Sequence, residues 1–512
     1  MPPRVWGSVA LGAFAAVVVW QAVSRIRARR KCPKGVSANY GRPRNGAARG
    51  RNEQSWPRKP HTVEEFSSPM ELSSKTRALL KKFDVDPVRG FLPGVDPLLQ
   101  LPQPELSAWE DLVAALPKLL AHAPCELKAR LASLPVLPVE VLASKEEKLR
   151  ALLLLAMLAH AYVWGNPDDP DDTIPEGVAV PLHALAARVG VPPLMTHLSL
   201  VLTNWRKLDS SKPVVAENLA CIGQFLGDED EAWFYLVTAE IEAAGGPAMG
   251  LLLEAQQSIS TAATAGHDPE AARSVLLRVA QALSLVTGRV NAMKTSLLRM
   301  LERCRPAVFY QRVRPFLAGW RNNPTLPRGV IYQGVSTQRQ EYYGGSAAQS
   351  TLFPALDAAL GISHKHEASD GFLKDMLDYM PPGHRGLVRH LSTPGGPSIR
   401  EFVQSATAQG GVGAKALAHE YNACLGAVAD FRTAHLGIVA TYILQHQRKA
   451  KHEVAGVVHG NGTNGSGDGN VIVNGDIDAY TRDQAAGGKG TGGTPLITFL
   501  KPLRDDVTSG MM

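Results

Sequence analysis

A chain of 512 residues and 54.9 kDa, 45% hydrophobic and 20% charged, is long enough to bury a large core and has the composition of a folded, water-facing protein. Its net charge of +7 comes from one end, because residues 1–60 hold thirteen Lys and Arg against the single acid Glu53, while residues 61–512 carry more acids than bases. That distribution argues against a nucleic-acid partner for the folded body, and five scattered cysteines without a CxxC pair argue against a disulfide framework or a zinc site.

In chain order, Val5–Val23 (VWGSVALGAFAAVVVWQAV) is an uncharged run long enough to cross a bilayer as a helix. The bases of SRIRARRK follow it, which by the positive-inside bias predicts a transmembrane anchor over residues 5–23 with the body facing the cytosol. A mitochondrial targeting peptide is the competing reading, since residues 1–52 are Arg-rich and lack Asp and Glu. Residues 31–60 read as a polar linker, completing a leader over 1–60.

From about residue 66 the pattern is helix after helix. Ser107–Ala121, Lys145–Trp164, Asp228–Ala244, Glu270–Cys304 and Ala414–His446 carry apolar residues at three- and four-residue steps. Prolines cut between helices at 135–141, 166–177, 191–193 and 379–385. The acidic run GDEDE at 227–231 favours the start of a helix, where the dipole is positive. The predicted fold is mostly α, with a small helical domain over 61–222 and a larger one over 223–512. Between 451 and 489 the composition collapses to Gly, Asn, Asp and Ser, predicting a flexible insertion. No HExxH, Walker loop or GxSxG occurs, and the GxGxxG at Gly488–Gly493 follows no strand, so it reads as a mobile loop rather than a dinucleotide site. The return to order at TPLITFLKPL suggests a loop pinned at its end, as active-site lids are.

Three segments carry candidate chemistry. In FRTAHLGIVATYIL (431–444), His435 shares an apolar stripe with Ile438, Val439 and Tyr442, and Arg432 lies one turn before it. From spacing alone His435 is either a hydrogen-bonded core residue, the commoner case, or a ligand. In VFYQRVRPFLAGW (308–320), Tyr310 and Arg314 are i,i+4 neighbours on an α-helix. Beside Phe309 they suit an aromatic amino acid, through ring packing and a bidentate grip on its carboxylate, unless they are merely core aromatics and surface arginines. In YYGGSAAQST (342–351), Gly344, Gly345, Ser346 and Ala347 either let backbone approach a flat ligand or form an ordinary tight loop.

Taken in order, AHAYVWG (159–165), AVPL (179–182), LTNW (202–205), RPFLAGW (314–320), GGSAAQS (344–350), YMPPGHR (379–385), FRTAHLGIVATYI (431–443) and KGTGGT (489–494) resemble the indoleamine 2,3-dioxygenase family, from about Gly90 to Arg504. The resemblance implies haem b held by His435 as the one proximal ligand, with the opposite face open to O2. It implies an Arg432–Asp357 ion pair beside that ligand, Phe309, Tyr310 and Arg314 as the substrate-contacting trio, and Phe234, Val201, Gly345, Ser346 and Ala347 as pocket walls. Phe309 would pack the indole, Arg314 would bind the carboxylate, and Thr491 would supply a lid-loop hydroxyl to the amino-acid end. Several positions depart from mammalian members: Tyr310 replaces a phenylalanine, adding a hydroxyl to the pocket, Thr238 replaces a distal serine, and Leu200 and His197 replace cysteine and tyrosine. The reaction implied is insertion of both atoms of O2 across the indole C2–C3 bond of L-tryptophan, giving N-formylkynurenine on the kynurenine route toward NAD, without an acid–base pair. Related indoleamines and an electron donor that reduces the haem are the other expected partners, and a monomer is expected. The alternative is a haem-binding sensor of the same fold with little turnover.

Overall fold

The structure, a computed structural model, describes residues 70–446 except 168, 265–268 and 365–366, together with 496–512. The leader with its Val5–Val23 span, the 451–489 insertion and Thr491 lie outside the described residues. Val63–Met512 clusters as one unit.

The first helices are α1 (Ser74–Lys82), α2 (Ser107–His122), α3 (Pro124–Ala132), α4 (Lys145–Trp164) and α5 (Glu176–Val189). At the start of α4 the Ser144 hydroxyl accepts from the Glu147 amide, and Glu146 and Glu147 occupy the first turn. Every residue from Leu149 to Ala161 is buried, so α4 is enclosed on all sides, and its two buried polar residues are partnered, Arg150 by Glu110 and His160 by the Phe316 carbonyl. It packs against α2, α3 and α5.

The acidic run behaves as predicted: Asp228 caps α6 (Glu229–Gly245) by accepting from the Glu231 amide at 3.0 Å. After it come α7 (Pro247–Thr264), α8 (Pro269–Leu298), α9 (Leu352–Leu360), α10 (Glu367–Leu377), α11 (Pro382–Ser392), α12 (Ile399–Gln409), α13 (Val412–Val439) and α14 (Leu496–Thr508). The long helix α8 packs on α6, α7 and α13, and α13 also carries α12 and α14. Strand structure among the described residues is confined to two short pairs, β1 (Thr173–Ile174) parallel to β4 (Ile331–Tyr332) and β2 (Arg206–Lys207) antiparallel to β3 (Leu219–Ala220). The chain is thus mostly helical, as its periodicity predicts.

Two differences bear on function. The helix predicted over Glu270–Cys304 breaks at Arg299, leaving a separate turn at Met300–Arg303. The one predicted over Ala414–His446 stays helical but widens into a π turn at Ala440–Leu444. Further π turns occur at Leu198–Leu202 and Phe309–Val313. Each takes up an extra residue through i→i+5 bonding, which apolar spacing does not reveal. All three border one cavity.

Candidate functional site

That cavity has a volume of about 490 Å³. One wall is a single face of α6, where Phe234, Thr238, Ile241 and Glu242 recur at helical spacing. Facing residues come from α13 and its π turn: Arg432, His435, Ile438, Val439, Tyr442 and Ile443. The π turn after His197 adds Leu200 and Val201, and Gly345, Ser346 and Ala347 come from the loop before α9. On a further side α14 contributes Phe499, Leu500 and Leu503.

His435 lines this cavity and is half-buried. Burial, reinforced by the Arg432 charge, pulls its imidazole down to about 4, so the ring is neutral near pH 7. Arg432 Nη2 lies 2.8 and 2.6 Å from the two carboxylate oxygens of Asp357 on α9, and its Nη1 donates to the Leu503 carbonyl on α14 at 2.5 Å. Burial pushes the Asp357 carboxyl up, but the Arg432 charge and the hydrogen bond from His364 outweigh it and hold the group below its ordinary value.

The aromatic wall forms around Phe309, whose ring centroid lies 4.6 Å from that of Phe234 and 5.7 Å from that of Tyr442. Arg314 opens the next short helix and also lines the cavity, its guanidinium shifted down by burial. The α-helical reading put Tyr310 and Arg314 on one face, and the two remain in contact, but Phe309 is the aromatic that lines the cavity with Arg314. Phe309 and Arg314 stand five apart, the spacing that a π turn, rather than an α turn, aligns. Tyr310 is not among the cavity-lining residues; its ring stacks on His446 with centroids 5.6 Å apart, and the Arg314 guanidinium sits over it at 5.5 Å.

Thr238 does present its hydroxyl to the cavity, but the proton is spent on the Phe234 carbonyl at 2.7 Å, so an acceptor lone pair and a methyl group remain. Ser346 lines the cavity while its hydroxyl accepts from the Ala348 amide at 3.2 Å. The close approach expected of the glycine pair falls at Gly344, and its partner is protein: a Cβ there would come within 2.2 Å of the Gly319 backbone nitrogen. Gly345, by contrast, has ordinary room around it.

Periodicity also missed residues. A buried cluster joins His197 Nε2 to Glu242 Oε1 at 2.8 Å and Ser350 Oγ to the same oxygen at 2.5 Å, all three lining the cavity. Glu242 was detectable, lying one and two turns beyond Thr238 and Phe234. His364, which bonds Asp357, gave no signal, because it sits in a loop after α9 where spacing carries no information.

The described residues thus form a helical protein with one mostly apolar cavity in which His435, the Phe309 and Phe234 rings and the Arg314 guanidinium meet. The chain matches the family model described as Indoleamine 2,3-dioxygenase over residues 79–510. It is 32% identical to human indoleamine 2,3-dioxygenase 2 over 435 residues, which cover 85% of this chain and 95% of that protein. It is 33% identical to the Saccharomyces cerevisiae indoleamine 2,3-dioxygenase over 456 residues, 84% of this chain and 93% of the relative. A 6-hydroxytryptophan 2,3-dioxygenase of Fusarium equiseti is 29% identical over 435 residues, 84% of this chain and 98% of that one. The chain belongs to the indoleamine 2,3-dioxygenase family and is an oxidoreductase of the dioxygenase class.

Proposed function

We propose that this protein is a haem-dependent dioxygenase that inserts both atoms of O2 across the indole C2–C3 bond of L-tryptophan, giving N-formylkynurenine, the first step of the kynurenine route. The observation that carries this reading is the meeting of neutral His435 with Phe309 and Arg314 in one cavity. The donor set suits haem, since a porphyrin brings four ligands of its own and the chain need supply only one imidazole amid apolar walls. When bound, haem supplies a ferrous iron that activates O2.

In this reading the chain's own residues hold and orient. His435 is the ligand, already free of its proton, and the Arg432–Asp357 pair fixes the helix one turn away. Phe309 and Phe234 pack the indole, with Val201, Gly345, Ser346 and Ala347 around it. Arg314 grips the substrate carboxylate, a contact that burial strengthens. Thr238 has no proton to give, which accords with chemistry that needs positioning and exclusion of water rather than acid–base transfer. Related indoleamines are the wider substrate class, and an electron donor keeps the iron ferrous. The proposal includes the cytosol-facing anchor at Val5–Val23, against a mitochondrial leader, and a reporter fused to residues 1–60 would separate the two.

The test begins with the reduced protein under CO, which is expected to show a shifted Soret band that His435→Ala abolishes. With L-tryptophan, O2 and a reductant, N-formylkynurenine is expected to accumulate in the near-UV. A His435→Ala variant with an unchanged Soret band would overturn the assignment of the ligand. Haem-loaded protein that forms no product would replace the enzyme by a haem sensor.

A further inference from the structure

Two walls of the cavity meet at a seam. One is the segment that enters the π turn at Leu198–Leu202 and gives His197, Leu200 and Val201; the other is the loop Gly345–Ala347. They lie against each other, since a Cβ on Gly345 would stand 3.5 Å from Leu200 Cδ2 and 3.7 Å from the Met195 carbonyl. Gln349 joins them from behind: it is buried, and it is not one of the residues that line the cavity. Its Oε1 accepts from the His197 amide at 3.0 Å, and its Nε2 donates to the Gly344 carbonyl at 2.9 Å. The next residue, Ser350, gives its hydroxyl to Glu242, which also holds the His197 ring. Residues 349 and 350 therefore reach His197 by its backbone and by its side chain.

Both sides of the seam are supported elsewhere. The Met195 amide donates to His160 Nε2 on α4 at 3.1 Å. On the other side the Tyr342 carbonyl accepts from the Trp320 and Arg321 amides at 3.0 and 2.8 Å, and Gly344 has no room for a side chain beside Gly319. The Gln349 side chain is thus a spacer of fixed length between two anchored backbones. Only a primary amide completes it, because one partner is a donor and the other an acceptor. A side chain of equal length without those groups leaves a backbone N–H and a backbone C=O unpaired in the interior. That cost is relieved most simply by admitting water to the seam. Leu200 and Val201 would then draw away from Gly345, and the cavity would widen where the two walls meet.

We propose that Gln349 is a positioning residue for the substrate: by fixing the seam between the His197 segment and the glycine loop, it sets how large an aromatic ring system the cavity accepts. This rests on the reading of the cavity as an indole pocket. The test compares wild type with Q349M and Q349E, on tryptophan and on derivatives brominated in turn at each free carbon of the benzene ring. Q349M removes both hydrogen bonds at similar volume, whereas Q349E keeps the shape but turns a second acceptor toward the Gly344 carbonyl. In both variants kcat/KM for tryptophan is expected to fall by about tenfold. The brominated substrate that faces the seam should lose less, so the preference for tryptophan over it drops by at least about fivefold. The electronic effect of bromine is common to all three proteins and cancels. A merely structural role would reduce the active fraction and slow every substrate in proportion. An unchanged preference at every ring position would therefore overturn the proposal, as would wild-type kinetics in Q349M. If neither variant folds, hydrogen exchange at the His197 amide of wild type decides: protection comparable with α4 upholds the seam, and exchange as fast as in an exposed loop removes it. If wild type forms no product from tryptophan, the functional reading fails. Calorimetric affinities of haem-loaded wild type and Q349M for the same compounds then still decide whether Gln349 sets the ring size.

Discussion

Arg314 and Arg312 are two residues apart and chemically identical, yet they have different fates. Arg312 is exposed, 3.2 Å from Asp228, whereas Arg314 is buried and lines the cavity. An exposed pair contributes little, because water and salt screen it. A buried guanidinium facing a carboxylate substrate contributes two charge-assisted hydrogen bonds in a medium that strengthens them. Arg314→Ala is therefore expected to lower kcat/KM for tryptophan by about two orders of magnitude, mostly through KM, with an intact Soret band. Arg312→Ala should change it less than about twofold. Steady-state kinetics on the two variants decide the matter, and an Arg314→Ala enzyme within threefold of wild type would remove Arg314 from the substrate site. Arg314→Lys should recover only part of the loss, since an ammonium cannot make the paired contact.

At the scale of elements, the helices were readable because their faces are set by burial, and burial leaves a period. His435, Ile438, Val439 and Tyr442 share a stripe in the sequence and all line the cavity in the fold. The acidic run before α6 and the apolar length of α4 were equally plain. What periodicity cannot report is an inserted residue, since a π turn shifts the phase of a helix without changing its composition. That is why i,i+4 spacing paired Tyr310 with Arg314, whereas Phe309, which the resemblance assigned to the indole, is the aromatic that lines the cavity with Arg314. The turn can be tested directly. Gln311 is exposed within Phe309–Val313, and deleting it should let the segment close as an ordinary α turn. Phe309 and Arg314 would then stand four apart, the spacing that an α turn aligns, so both should keep facing the cavity. The deletion variant is expected to bind haem with an unaltered CO-bound Soret band and to keep kcat/KM within about tenfold of wild type. A loss of about a hundredfold or more would show that the widened turn does more than set the phase of the two residues.

For the molecule as a whole, the residue that ties the core to the site is His160, buried in the middle of α4. Its Nδ1 donates to the Phe316 carbonyl, 2.8 Å away in the short helix that Arg314 opens, and its Nε2 accepts from the Met195 amide at 3.1 Å. Both bonds require the neutral ring, because a second proton would point at the Met195 N–H. Burial agrees, pulling this imidazole down to about 4 against the upward effect of the Phe316 carbonyl. The unfolded chain titrates near 6.5, so between about 4 and 6.5 it binds a proton that the folded protein refuses. His160 thus contributes stability in full above about pH 6.5 and loses it as pH falls, by about 3 kcal/mol at pH 4. A simple pH–stability curve would not isolate this, because Glu231 acts with the opposite sign: burial raises its carboxyl to about 7, so it gains a proton in the folded state over part of the same range. The difference between wild type and His160→Gln cancels Glu231. At pH 7 the variant is expected to be less stable by about 1–3 kcal/mol, from two imperfectly replaced hydrogen bonds. Urea unfolding of both proteins at pH 7, 6, 5 and 4.5 should show that gap shrinking steadily on acidification. A gap that stays constant or widens would mean that His160 carries a proton in the folded state, and that its bonds to Phe316 and Met195 are not the ones described.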